Sequence, residues 1–175
     1  GFQTGKDSVI VAAYTSTGRG ECIAFSNDRG RTFTEYEGNP VVKHSGRDPK
    51  LIWYAPGKHW VMALYDEQGK SQAVAFYSSP NLKEWTFQSR IEGYYECPEI
   101  FEMPVDGDKA KTKWVVYAAN GEYAVGNFDG KAFTPDGPKI AYNYGNCFYA
   151  SQTYNNIPAE DGRRIQVAWG TTGHP

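Results

Sequence analysis

The sequence predicts an all-β fold that is organised as part of a β-propeller. Three observations support this prediction. Short apolar runs rich in β-branched and aromatic residues alternate with turn residues along the chain. No long segment shows the 3.6-residue apolar period of an amphipathic helix. A plan of strand, polar turn and aromatic-Thr pair recurs at intervals of roughly 50 residues, as in propeller blades.

Ten runs have the length and composition of β-strands. They are separated by Gly, Pro, Asn and Asp, and the chain contains 19 glycines and 10 prolines. Such residues favour turns because they supply unusual backbone angles or local hydrogen bonds. In chain order the runs are SVIVAAYT, ECIAFSND, LIWYA, HWVMALY, QAVAFYSS, EIFEMP, KWVVYAAN, EYAVGNF, FYASQTY and IQVAWG.

The repeat predicts the number of blades. Its aromatic residues are Phe33, Trp85 and Phe133, each followed by Thr and spaced by 52 and 48 residues. With about four strands per unit, residues 1–175 form a single segment of about three to three and a half blades. A closed ring needs more blades than this, so we expect open sheet edges that could support self-association.

Charge and composition exclude several classes of function. The formal net charge is −2, which gives no electrostatic footprint for nucleic acid. No apolar stretch is long enough for a membrane span. Three cysteines without a C-x-x-C pair, and three scattered histidines (His44, His59 and His174), do not predict a disulfide framework or a metal site. The STGRGE stretch lacks the G-K-[ST] of a phosphate loop, and no cofactor is expected.

Two acids stand at equivalent positions of successive repeats. Asp48 in GRDPKLIWY and Glu96 in YECPEIFEMP both precede a proline and an apolar strand, and they are 48 residues apart. The innermost strands of propeller blades line one axial funnel, so we expect these carboxyl groups to meet there. Paired carboxylates at a pocket are the requirement of glycoside hydrolysis. Neighbouring carboxylates should raise the pKa of one acid, while Arg47 should keep Asp48 ionised and donate hydrogen bonds to sugar hydroxyls.

The RDP and ECP motifs, in this order and with their flanking strands, resemble glycoside hydrolase family 32. This family includes invertases, levanases and inulinases, and FYASQTY and QVAWG resemble its later segments. The resemblance implies a five-bladed propeller that cleaves β-D-fructofuranosides of the levan, inulin or sucrose type with retention. It implies that Glu96 is the general acid/base, Asp48 the transition-state stabiliser, Arg47 a substrate-binding partner and Trp169 a pocket-wall aromatic.

The sequence departs from the family pattern in two places. The N-D-P-N motif that carries the family's nucleophilic aspartate does not occur in these 175 residues. We expect the nucleophile upstream of this chain and the isolated chain to be nearly inert. Asn143 stands where many relatives have an aspartate before Tyr-Gly, which bears on substrate preference. The polymeric substrates of the family suggest an extracellular or periplasmic bacterial location.

Three alternatives follow from the sequence. SNDRGRTF, residues 26–33, fits the S-x-D-x-G-x-T-[FW] turn of sialidases, but only one such box is clear and it carries no chemistry. A family 43-like arabinanase or xylosidase is also a five-bladed propeller with three acids. A non-catalytic carbohydrate-binding propeller would keep the funnel without the reaction. The RDP and ECP motifs favour fructosides over the other substrates.

Overall fold

The structure is a computed structural model that describes residues 1–145, 147–158 and 160–170. The part of the chain so described contains fourteen β-strands and no α-helix. The strands are β1 (Ile10–Ser16), β2 (Gly20–Ser26), β3 (Thr34–Glu35), β4 (Arg47–Tyr54), β5 (His59–Gln68), β6 (Ser71–Ser79), β7 (Thr86–Glu92), β8 (Glu99–Val105), β9 (Asp108–Tyr117), β10 (Glu122–Phe128), β11 (Phe133–Pro135), β12 (Ile140–Ala141), β13 (Tyr149–Thr153) and β14 (Gln166–Trp169).

The strands form four antiparallel sheets in chain order. The first sheet has the order β1-β2-β3, the second β4-β5-β6-β7 and the third β8-β9-β10-β11, with β12 also pairing to β10. The strands β13 and β14 form a two-stranded sheet. This up-and-down arrangement confirms the prediction of an all-β, partial propeller. The self-association expected at its open edges stays a prediction.

The sequence repeat marks the outer strand of each blade. Thr34 begins β3, Thr86 begins β7 and Phe133 begins β11, which are the last strands of the first three sheets. The first strands of the same sheets, β1, β4 and β8, lie against one another in that order. The motif strands β4 and β8 are therefore the inner strands of two adjacent blades.

The core lies between neighbouring sheets. Between the second and third sheets it is formed by buried apolar residues, which include Val61, Val74, Phe76, Ile100 and Val116. Alternate residues of each strand point to this layer, as expected where a sheet has an inner and an outer face. Each such side chain contributes about 1.5–3 kcal/mol of burial free energy. The facing sheets are thereby held in register, which sets the positions of the loops at their ends.

The SNDRGRTF turn is a structural device in this chain. The Asp28 carboxylate accepts hydrogen bonds from the Thr32 backbone N–H at 2.9 Å, the Thr32 hydroxyl at 2.7 Å and the Ser26 hydroxyl at 2.7 Å. These bonds, that of the Thr32 hydroxyl first, lower the pKa of Asp28 to about 2. The turn connects β2 to β3 and lies in the outer part of the first blade.

The described residues were searched for membrane-spanning helices and for clusters of metal-binding side chains. The described residues form no helix that is long and apolar enough to cross a membrane. No group of three or more His, Cys, Asp or Glu residues in the described ranges is arranged to hold a metal ion.

Candidate active site

The start of β4 presents Arg47 and Asp48 at the inner end of the second blade. Arg47 pairs with Tyr65 and Lys50 with Ala63, so an irregular register leaves two residues of β4 opposite one of β5. Asp48 has a φ of 62°, a backbone conformation that L-residues seldom adopt. Its backbone N–H donates to the Thr15 hydroxyl at 2.9 Å. A bulge of this kind redirects side chains at the end of a strand.

The loop before β8 presents Glu96 in a similarly unusual conformation. Glu96 and Cys97 have φ values of 53° and 45°. The Ala119 N–H donates to the carbonyl oxygens of Tyr95 and Glu96 at 3.0 and 2.9 Å, which pins this turn to the end of β9. Consecutive non-glycine residues at positive φ cost free energy and cluster at functional sites. Their presence marks the loop as a candidate site on backbone geometry alone.

The structure brings the two motifs into direct contact. Oδ2 of Asp48 accepts a hydrogen bond from the Cys97 N–H at 3.0 Å and lies 3.6 Å from the Cys97 thiol sulfur. The Arg47 guanidinium donates from Nη2 and Nε to Oε1 of Glu96, at 2.5 and 3.2 Å. Arg47 and Asp48 of one repeat therefore bind Glu96 and Cys97 of the next, and the two partners of each pair are 49 residues apart.

Arg47 has a hydrogen-bond partner that the sequence did not predict. We expected Arg47 to act on its neighbour Asp48, and its Nε lies at ion-pair distance, 4.0 Å from Oδ2 of Asp48. The hydrogen bonds of the guanidinium go instead to Glu96. The guanidinium stacks 4.7 Å above the Tyr65 ring, and its Nη1 lies 3.8 Å from Oε2 of Glu67. The pairing between β4 and β5 places Tyr65 there and directs the guanidinium across to the neighbouring blade.

The pKa of Glu96 also differs from the expectation. Burial raises this pKa, but hydrogen bonds from Tyr149 and Arg47 and the positive charge of Arg47 lower it, and the net pKa lies below its ordinary value. The expected rise from a neighbouring carboxylate is therefore not found among these residues, because the groups closest to Glu96 are donors. Glu96 is held as a carboxylate in the site that this chain forms.

Tyr149 is a site residue that sequence reasoning did not single out. Its hydroxyl donates a short hydrogen bond to Oε2 of Glu96, so Glu96 is held on both oxygens. Burial and this bond to Glu96 raise the pKa of the Tyr149 hydroxyl. The only sequence signal was its place at the head of the FYASQTY strand, which gives no partner. The contact depends on how the fourth sheet packs against the third.

Trp169 and Asn143 are the two remaining site residues that the sequence predicted. Trp169 ends β14, pairs in register with Tyr149 and is 72% exposed. Asn143 is half-buried and donates to the Phe148 carbonyl oxygen at 3.5 Å. Within the described ranges, the hydrogen bonds of Asn143 do not reach Arg47 or Glu96. The substrate-binding roles of both residues stay predictions.

Comparison with known proteins places this chain in a family. A profile of the glycosyl hydrolases family 32 N-terminal domain matches residues 1–173. The chain belongs to glycoside hydrolase family 32. It is 40% identical to a levanase of Bacillus subtilis, over 97% of this chain and 28% of the levanase. It is 36% identical to an extracellular exo-inulinase of Meyerozyma guilliermondii, over 93% of this chain and 35% of the inulinase.

A solved structure of the family supports the fold. A fructofuranosidase from Schwanniomyces occidentalis, complexed with fructose, matches with a TM-score of 0.80 and 34% identity. The match covers 92% of this chain and 35% of that protein. The chain thus spans about a third of the length of the family 32 relatives named here. Membership of family 32 sets aside the sialidase-like and family 43-like alternatives.

Proposed function

We propose that this chain supplies the central blades of a catalytic propeller that cleaves β-D-fructofuranosides such as levan, inulin or sucrose. The observation that carries the proposal is the meeting of Asp48 and Glu96 at the inner ends of adjacent blades, joined through Arg47 and Cys97. In a retaining glycosidase, neighbouring carboxyl groups take different roles because their surroundings differ. Asp48 and Glu96 meet this requirement, since Asp48 is held by the Cys97 N–H and Glu96 by Arg47 and Tyr149.

In the proposed mechanism Glu96 is the general acid/base. A nucleophilic carboxylate attacks C2 of the fructosyl unit while the C2–O bond breaks, and Glu96 gives its proton to the departing oxygen. In the second half, Glu96 takes a proton from water as the water oxygen bonds to C2 and the carboxylate leaves. Two displacements at one carbon retain its configuration.

The nucleophile has to come from outside these 175 residues, because the family's N-D-P-N motif is not among them. The negative charge of this nucleophile would also raise the pKa of Glu96, an effect that the described site lacks. A second carboxylate close to Glu96 raises the pKa of the acid by charge repulsion, which offsets the lowering by Arg47 and Tyr149. The 175-residue chain alone is therefore expected to release almost no fructose.

The remaining residues are assigned to substrate binding. Asp48 is assigned to accept hydrogen bonds from fructose hydroxyls, and its Oδ2 is held by the Cys97 N–H. Arg47 orients Glu96 and presents a positive charge at the same edge. The exposed ring of Trp169 offers an apolar face for the C–H groups of a sugar. Asn143 is assigned to the outer part of the site, and an extracellular location is proposed by analogy with the exo-inulinase relative.

The test is fructose release from levan, inulin and sucrose by the protein that carries this segment, with Glu96→Ala beside it. Loss of the general acid should lower the cleavage of all three by about 10²–10⁴-fold. An aryl β-fructofuranoside has a phenolate leaving group that needs no protonation, so the variant should still cleave its glycosidic bond and form the fructosyl-enzyme. Azide should then restore turnover and give fructosyl azide of retained configuration, since azide needs no general base.

The matched control is Glu102→Ala, which removes an exposed glutamate from the inner strand β8 further from Glu96. It should leave the release of fructose unchanged. A folded wild-type protein that releases no fructose but binds the oligosaccharides would establish the binding-only propeller instead. Equal losses on sucrose and on the aryl substrate, without azide rescue, would contradict the role of Glu96 as acid/base.

A further inference from the structure

A buried polar group lies behind Asp48 and takes no direct part in the proposed reaction. Glu21 is the second residue of β2, and its side chain is completely inaccessible to solvent. Its backbone is fixed, because the Glu21 N–H donates to the Val42 carbonyl oxygen at 2.8 Å and its own carbonyl oxygen accepts from the Val41 N–H at 2.8 Å. Burying a carboxyl group without a cation costs free energy. The contacts of its two oxygens therefore need an explanation.

One oxygen of Glu21 supports the backbone of Asp48. Thr15 and Glu21 are directly opposite in the β1–β2 pair, and the Thr15 hydroxyl donates to Oε2 of Glu21 at 2.9 Å. The same hydroxyl oxygen accepts the hydrogen bond of the Asp48 N–H at 2.9 Å. The donated bond orients the hydroxyl so that its lone pairs face Asp48. Glu21 thus holds Thr15, and Thr15 holds a residue with a φ of 62°.

The other oxygen of Glu21 faces His44, whose ring accepts the hydrogen bond of the Gly46 N–H. Oε1 lies 3.5 Å from Nε2 of His44. Nδ1 of His44 accepts the Gly46 N–H at 2.5 Å, which assigns the imidazole proton to Nε2 on the side of Glu21. Nε2 of His44 and Oε1 of Glu21 are in contact without a hydrogen bond, and both atoms are buried with no other hydrogen-bond partner among the described residues. The backbone of Gly46 packs closely against this region, since an added Cβ would lie 1.9 Å from the Tyr65 carbonyl oxygen and 2.1 Å from the His44 ring.

These contacts hold the backbone on either side of Arg47. Gly46 and Asp48 flank Arg47, and the N–H of each donates to a side chain that contacts the same buried carboxyl group. Thr15 contacts Glu21 through a hydrogen bond at 2.9 Å, and His44 contacts it at 3.5 Å. We propose that Glu21 is a positioning residue, which clamps the backbone on both sides of Arg47 and so aims Arg47 at Glu96 and Asp48 at the substrate. The catalytic part of this inference rests on the proposed function; the clamp itself does not.

The variants separate the clamp from general stability. Thr15→Val keeps the shape of the side chain but removes the hydroxyl, and Thr15→Ser keeps the hydroxyl. Glu21→Gln keeps the volume of the side chain but can serve only one of the two supports well. The matched control is Thr153→Val, because the Thr153 hydroxyl also donates to a fully buried glutamate, Glu99, at 2.6 Å. That bond does not involve the backbone of residues 46–48.

The first measurement is hydrogen exchange of the peptides that cover residues 44–50, in the protein that carries this segment. Thr15→Val and Glu21→Gln should accelerate exchange of the Gly46 and Asp48 amides at least tenfold, while Thr15→Ser and Thr153→Val should not. Unchanged exchange in Glu21→Gln would overturn the clamp. This readout needs neither substrate nor turnover.

The second measurement is steady-state hydrolysis of sucrose. A misaligned catalytic group should lower kcat about 10- to 100-fold, with KM changed less than about threefold, in Thr15→Val and Glu21→Gln. Thr15→Ser should restore kcat, and Thr153→Val should keep it. Faster exchange with unchanged kcat would overturn the positioning role. A wild-type protein with protected amides but no activity would instead refute the proposed function, and the clamp would stand without it.

Discussion

The buried ion pair between Lys50 and Glu99 offers a quantitative test of how the inner strands are joined. These residues follow the two motif prolines at equivalent positions of β4 and β8, and Nζ of Lys50 lies 2.8 Å from Oε1 of Glu99. Their side chains are only 10% and 0% exposed. Thr153 of β13 completes the group, because its carbonyl oxygen accepts from Lys50 at 2.9 Å and its hydroxyl donates to Glu99 at 2.6 Å. The pair therefore connects three sheets.

The perturbation is Lys50→Met, which keeps most of the aliphatic stem and removes the ammonium group. It leaves the buried Glu99 carboxylate with a hydroxyl donor but without its cation. Removal of one partner of a buried pair should lower the free energy of unfolding by about 3–5 kcal/mol. The double variant Lys50→Met/Glu99→Leu removes both charges, and its free energy of unfolding should return to within about 2 kcal/mol of the wild type.

Urea unfolding followed by the fluorescence of the five tryptophans measures these free energies. With a slope of about 2 kcal/mol per molar urea, Lys50→Met should lower the midpoint by about 2 M. The control is Lys111→Met, whose ammonium lies 3.8 Å from Asp108 on the surface, with side chains 78% and 48% exposed. That change should cost at most about 1 kcal/mol. Equal effects of Lys50→Met and Lys111→Met, or a double variant as unstable as the sum of its single variants, would refute the reasoning.

Three further predictions concern the site. Tyr149→Phe should raise the pKa of Glu96, because it removes a hydrogen bond that lowers this pKa. A carbon-13 NMR titration of the glutamate carboxyl groups should then show a higher midpoint for Glu96. An unchanged midpoint would exclude the bond. Burial raises the folded-state pKa of Glu21 to about 7, above its unfolded value, so the stability that protonated Glu21 contributes is present at low pH and falls by about 3 kcal/mol between about pH 4.5 and 7. Glu21→Gln should remove this decrease relative to the wild type in unfolding measured across that range, and parallel curves would contradict it. Gly46→Ala should lower the free energy of unfolding by about 1–3 kcal/mol or more, while Gly137→Ala, where a Cβ meets nothing within 4 Å, should change it little, as thermal unfolding of both would show.

The repeat made the pairing of the two motifs predictable from the sequence. Asp48 and Glu96 recur at one blade spacing and both precede the inner strand of a blade, so their proximity follows from the symmetry of a propeller. The alternation of apolar runs and turn residues likewise determined the all-β class, because hydrophobic period is a local property of the chain. The aromatic-Thr pairs marked the outer strands for the same reason.

The partners within the site depended on tertiary structure. Adjacency in sequence suggested that Arg47 serves Asp48, but the irregular start of β4 and the stacking on Tyr65 turn the guanidinium to Glu96. Tyr149 reaches Glu96 from 53 residues away, a contact set by the packing of one sheet on the next. No local pattern encodes that distance.

The sequence alone thus determined the fold class, the blade repeat and the two carboxyl groups, since each is encoded in periodic spacing or in a short motif. Only the tertiary structure decided which donors hold each carboxyl group and in which direction the pKa of Glu96 is shifted. It also decided that Glu21, an unremarkable residue at the start of a strand, lies buried behind the site. The physical reason is that burial and hydrogen-bond geometry arise where separate sheets meet, and they change the chemistry of a residue without changing its neighbours in sequence.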